Sequence, residues 1–245
     1  MCSLRSCSFA VWLVLLTACL AANALPADAA VLFDNFGPGN TYDPLISWAI
    51  TRDIVQGDAF TTPVGRPFRL SEIDLAAGLA GGGNPGLNEL ELMLMTSRNG
   101  VPDDIVESFL VTNVGDFGVV NPPLAAISVL HPLLLPDREY WVIARKPDQV
   151  GIIGWNLNSV GGMGPHVFRF GDGPWDLGEN GRGPKLVAGF GCPSPCEPSP
   201  NEQGAFRVIG TQVGNEVPLP SMLHLLASGL SGLAGIAAWR KWRHM

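Results

Sequence analysis

Between Val31 and Val213, Gly, Pro, Asn or Asp cuts the chain before any apolar run can make an amphipathic helix of three turns. That punctuation confines the body to short strands and turns. The 30 Gly and 21 Pro, with only 15% charged residues, argue the same way against a helical bundle. Helices for parallel crossovers are missing, so the strands must pair antiparallel. The clearest strand segments are Val31–Phe36, Ser47–Thr51, Phe68–Leu79, Glu89–Thr96, Ile105–Thr112, Ala125–Leu130, Tyr140–Arg145, Ile152–Leu157, Val167–Phe170, Leu186–Phe190 and Ala205–Thr211. Within Glu89–Met95 the period of two sets Leu90, Leu92 and Leu94 on a core face and Glu89 and Glu91 on the other. The expected fold is one all-β domain, an antiparallel β-sandwich of the jelly-roll or a related Greek-key kind.

The charge is uneven along the chain. Four of the 15 Lys and Arg (Arg5, Arg240, Lys241 and Arg243) and one of the 22 Asp and Glu (Asp28) lie in the two ends. Residues 30–239 therefore hold 11 basic against 21 acidic side chains, about −10, which argues against nucleic-acid binding.

The first 29 residues read as an export signal. Arg5 supplies a positive start, and Phe9–Leu20 with Ala21 and Ala22 an apolar stretch too short to span a bilayer comfortably. Ala22-Asn23-Ala24 and Ala27-Asp28-Ala29 both offer small residues for cleavage, and a cut near Ala29 is preferred because a strand follows. The alternative is Leu16-Thr17-Ala18-Cys19, which resembles a bacterial lipobox and would make a lipidated Cys19 the mature N-terminus. Cleavage near Ala29 removes Cys2, Cys7 and Cys19. It leaves Cys192 and Cys196, expected to close a small loop disulfide in an oxidising compartment.

No motif in the body carries catalysis. The chain has no G-x-S-x-G elbow, H-E-x-x-H, P-loop or dinucleotide fingerprint, and Gly81-Gly82-Gly83 reads as a loop. His131 and His166 stand beside prolines, with no acid or nucleophile at a recognisable spacing, so surface or turn roles are expected. A site assembled from distant loops would have to bring several of Asp53, Asp74, Glu107, His131 and His166 together. Calcium would find oxygen ligands at Asp103-Asp104 or around Asp34, Asn35 and Asp43, although no calcium-loop spacing is present. Trp48, Trp141, Trp155 and Trp175 raise a glycan-binding reading, because flat rings stack on sugars. Trp141 alternates like a core position, whereas Trp155 and Trp175 in Gly-rich surroundings are expected nearer the surface.

The C-terminal end carries the strongest address. Residues 214–221 form a spacer in which Pro218 and Pro220 stop both strand and helix, and Ser221 is placed as an N-cap. Met222–Trp239 is without formal charge and would be about 27 Å long as a helix, enough to cross a thin bilayer. Arg240, Lys241 and Arg243 follow, in the 240–245 tail that the positive-inside rule places in the cytoplasm.

Taken together, Val217-Pro218-Leu219-Pro220-Ser221, the Gly- and Leu-rich span and the basic end resemble the PEP-CTERM sorting signal of Gram-negative bacteria. Leu219 stands where that family usually has Glu. The resemblance implies an inner-membrane intermediate, an exosortase-type processing enzyme as partner, and a destination at the cell surface or in an extracellular polysaccharide matrix. Phe33-Asp34-Asn35-Phe36, Ser47–Ile50, Ala59-Phe60 and Tyr140–Ile143 are similar to the choice-of-anchor β domains found ahead of such tails. The expected chain is thus an exported, non-enzymatic β domain over 30–213, with no cofactor unless calcium binds.

Overall fold

The computed structural model describes residues 29–80, 88–148, 150–177, 185–187 and 202–213. These are all-β, and every pair of named strands is antiparallel. Among them no helix is long and apolar enough to cross a membrane. The signal peptide apart from Ala29, Cys192 and Cys196, the spacer, the 222–239 span and the basic tail lie outside the described residues.

The described residues form three sheets. One orders β1 (Ala29–Asp34), β15 (Phe206–Gln212), β4 (Phe68–Leu75) and β8 (Leu124–Ile127), with β9 (Leu133–Leu134) also on β4. The second orders β13 (Asp176–Leu177), β12 (His166–Phe170), β3 (Ile54–Thr61), β10 (Glu139–Arg145), β6 (Leu90–Arg98) and β7 (Val101–Val111). The third orders β14 (Lys185–Val187), β2 (Tyr42–Ile50), β11 (Ile152–Asn158) and β5 (Ala77–Ala80).

Alternation explains how they pack. Leu90, Leu92 and Leu94 of β6 and Tyr140, Val142 and Ala144 of β10 enter one core with Trp48, Ile50, Ile153 and Trp155 of the third sheet and Ile73, Leu75, Phe206 and Val208 of the first. The opposite parity of the second sheet, Val55, Ala59, Met93, Met95, Trp141, Ile143 and Val167, makes a second buried cluster. That sheet is therefore apolar on both faces. The core face of Leu90, Leu92 and Leu94 is as the sequence predicts, and Glu91 on the other face accepts a hydrogen bond from Arg145 Nε at 2.9 Å.

Several strand boundaries differ from expectation. Phe68–Leu79 is not one strand, because at Ala76 the chain leaves the first sheet for the third. Ala76 N donates to Ala205 O at 3.0 Å and Ala76 O accepts from Asn156 N at 2.9 Å, so the small residue makes the corner between sheets. Residues 54–61 form β3, where no strand was predicted. Gly57 and Asp58 break the apolar pattern there, but the strand is central, paired to both β10 and β12. Residues 128–130 leave the β8 line, for a reason that lies in Glu107.

Candidate functional site

The most buried polar constellation joins the second and third sheets. Asp58 of β3 and His166 of β12 are directly opposed, and the closed register brings His166 Nδ1 to 2.8 Å from Asp58 Oδ1. Gly204 N donates to Asp58 Oδ2 at 2.8 Å. The Trp48 ring of β2 stacks on the imidazole at 4.1 Å between centroids, 18° from parallel. Around them Gln203 Nε2 donates to Ala59 O at 2.8 Å and Trp155 Nε1 to Ala205 O at 3.2 Å, fastening residues 203–205 to both sheets. A Cβ on Gly204 would meet Trp155 Nε1 at 2.3 Å, so only glycine allows that approach. Burial pushes the Asp58 carboxyl up from its ordinary range, while His166 and the Gly204 amide pull against that push.

An aspartate holding a histidine is half of the arrangement that activates a nucleophile. The other half is missing here. His166 Nε2 is buried and has no hydrogen-bond partner, so no described hydroxyl or thiol is poised on it, and Trp48 covers the ring face. What the cluster can do is brace two sheets. His166 is thus not the surface or turn residue expected from sequence; His131 is a turn residue, at φ +45°.

The remaining candidates for a distant-loop site do not converge. Glu107 is buried on β7 and accepts from Ser128 Oγ at 2.7 Å, Val129 N at 2.9 Å and Leu130 N at 3.1 Å. His131 N in turn donates to Ser128 Oγ, and His131 Nδ1 lies 3.1 Å from Leu70 O. Glu107 and His131 therefore serve one loop, and the carboxylate's hold on 128–130 ends β8. Asp74 on β4 accepts from Arg207 Nε at 2.9 Å, with Asp34 3.7 Å from the same guanidinium. Beside it, burial and the adjoining Asp74 raise the Glu72 carboxyl to about 7. Asp53 sits exposed in the turn between β2 and β3, where its carbonyl accepts from Gly171 N at 2.8 Å.

The calcium candidates are already engaged. Asp34 accepts from Phe36 N and faces Arg207; the Asn35 amide bonds Phe206 N and Gly204 O; Asp43 accepts from Leu45 N; Asp103 and Asp104 face Arg98. Among the described residues no group of three or more His, Cys, Asp or Glu gathers to hold a metal.

Trp155 is fully buried, which corrects the expectation that it lies near the surface. Its Gly neighbour reflects close packing, since a Cβ on Gly154 would meet Ser47 Oγ at 2.3 Å. Trp48 and Trp141 are core residues as well. Among the described tryptophans only Trp175 is partly exposed, in an open groove of about 570 Å³ with Phe168, Arg169, Phe170 and Asp176. The Arg169 guanidinium lies over the Trp175 ring at 4.4 Å, and the Phe170 ring is 61% exposed.

The sorting motif Val217–Ser221, the basic Arg240, Lys241 and Arg243, and Cys192 and Cys196 lie outside the described residues. Asp58 escaped the sequence reading because its partner is far away in the chain, and only strand pairing reveals the contact. No protein-family model matches the chain, and comparison with curated proteins finds no relative.

Proposed function

We propose that this is an exported cell-surface or matrix protein, with a non-enzymatic β-sandwich body of the jelly-roll kind delivered by a PEP-CTERM-like tail. In this reading the 222–239 helix holds the chain in the inner membrane with the body outside. An exosortase-type enzyme then acts at Val217–Ser221, and the delivered domain works at the surface or among extracellular polysaccharides. The observation that carries it is the order of parts in the tail: prolines, apolar span and basic end follow directly on the last strand of the body. The non-enzymatic reading is supported by the scatter of Asp53, Asp74, Glu107 and His166 over separate places, and by a buried Asp58–His166 pair that substrate does not reach.

The test is deletion of residues 217–245 followed by cell fractionation. The truncated chain should leave the envelope fraction that holds the full chain. If it stays there at the size of the processed full-length product, the sorting reading fails.

A second reading, a glycan-binding module, draws on the groove at Arg169, Phe170 and Trp175. One face of Trp175 is taken by Arg169, so the exposed Phe170 ring is the better stacking platform for a sugar. Phe170→Ala should abolish oligosaccharide binding measured by calorimetry; absence of any binding by the unaltered protein removes this reading.

A further inference from the structure

The ends of the body's strands say where it meets the membrane. Gln212, the last residue of β15, pairs with Phe68, and Ala29 at the start of β1 pairs with Thr211. Both ends of the body therefore leave the first sheet at one pole, beside the start of β4. Only residues 213–221 separate Gln212 from Met222, at most about 35 Å of extended chain.

The surface at that pole combines exposed apolar side chains with arginines. Leu133 pairs with Arg69, next to the Phe68–Gln212 pair. Asp137 N donates to Pro63 O and Thr62 N to Arg138 O, tying the 62–67 loop to the 135–138 turn. These segments carry apolar side chains into solvent, Val64 78% and Leu135 48% exposed, and Leu133 of β9 beside them is 46% exposed. From there the strip continues along the sheet edge to Val129 and Leu130, 81% and 69% exposed. Those two are displayed by a fixed loop, because the buried Glu107 carboxylate holds their backbone amides. Arg69 and Arg138 lie exposed among them with no ion pair among the described residues, where Arg69 donates to the His131 carbonyl, at 3.3 Å. Asp137 is an exposed acid in the same turn.

Exposed aliphatic side chains held on fixed loops and mixed with unpaired arginines suit an interface of apolar chains beneath anionic headgroups. We propose that this strip rests on the surface of an anionic bilayer, with Val64, Val129, Leu130 and Leu133 entering the headgroup boundary and Arg69 and Arg138 facing lipid phosphates. The proposal rests on the reading of residues 222–239 as a membrane span. It adds that the body lies against that membrane on a defined face and does not hang free of it.

The experiment uses the full-length chain reconstituted in phosphatidylglycerol–phosphatidylcholine vesicles, with a photo-crosslinking benzoylphenylalanine in place of Leu130, of Val64, or of Val120 as control. Val120 is equally exposed, at 69%, but precedes Leu124, which pairs with Leu75 at the other end of β4. Lipid adducts should form at 130 and 64 and not at 120. The double variant Arg69→Gln/Arg138→Gln should lower them on the order of tenfold, while the chain stays in the carbonate-washed membrane. No lipid adduct from a chain that resists carbonate overturns the proposal and leaves the tail reading standing. A chain that carbonate removes overturns the tail reading and the proposal with it. Adducts between copies of the chain in place of lipid would also overturn it, making the strip a self-association surface. Undiminished adducts in the double variant would refute the role of the arginines.

Discussion

Replacing Asp58 should reveal how much of the body depends on one buried pair. In Asp58→Ala the Gly204 amide and His166 Nδ1 both lose their acceptor in a site closed to water. Each orphaned buried donor costs about 1–3 kcal/mol, and removing one member of a buried pair costs about 3–5 kcal/mol. A loss of about 4 kcal/mol in unfolding free energy is therefore expected, a large part of the roughly 5–15 kcal/mol typical of a domain. Asp58→Asn keeps the shape. Its carbonyl oxygen can still accept from Gly204, and its amide can donate to a neutral imidazole carrying its proton on Nε2, so about 1–2 kcal/mol should be lost. Urea unfolding of the purified protein, followed by tryptophan fluorescence, measures both, with equal slopes expected for all three proteins. The Trp48–His166 stack places a reporter on the cluster itself. If Asp58→Ala loses less than about 1 kcal/mol, or if Asn is as damaging as Ala, the pair does not brace the two sheets.

Three further outcomes follow from the same geometry. Glu107→Ala should cost about 2–4 kcal/mol and expose the Val129 and Leu130 amides to hydrogen exchange, whereas Glu107→Gln should retain partial protection; unchanged exchange in both would show that the carboxylate does not hold the loop. Glu72 has a folded pKa of about 7, above its ordinary 4.5, so the folded state binds the extra proton between those values. Its contribution makes the protein more stable as pH falls from about 7 toward 4.5, and Glu72→Gln should flatten that gain, by roughly 1 kcal/mol after solvent screening, in urea titrations at pH 5 and pH 8. Mass spectrometry of the mature N-terminus should find a start near Ala30; a diacylglyceryl Cys19 would replace the signal-peptide reading with a lipoprotein one.

Local patterning carried much of the fold in advance. Leu90, Leu92 and Leu94 alternate and are all core, and the Asn99-Gly100 pair, with φ of 55° and 75°, makes the tight turn between β6 and β7 that such a dipeptide favours. What stayed hidden depends on contacts between distant segments. The β3 strand reads poorly because Gly57 and Asp58 interrupt it, yet Gly57 is where the Ile143 side chain presses, with Cδ1 2.2 Å from the place of a Cβ, and Asp58 is where His166 bonds. The same cause misplaced the Trp155 side chain: glycine beside it signalled an exposed position, whereas Gly154 makes room for Ser47. The proposed strip is no motif either, since Arg69 meets Leu133 only through the pairing of β9 with β4, and residues 62–63 meet 137–138 only through the bonds between the two loops. The tail lies at the other extreme, since the role proposed for it rests on the order of residues alone.

The proposed function requires the body to lie outside the cytoplasmic membrane and the last residues inside it. A phosphatase that is active only outside the cytoplasm, fused after residue 213 in one chain and after residue 245 in another, measures this directly. Activity at 213 with none at 245 is the predicted result; a fusion at 213 that stays inactive while the protein accumulates would contradict it.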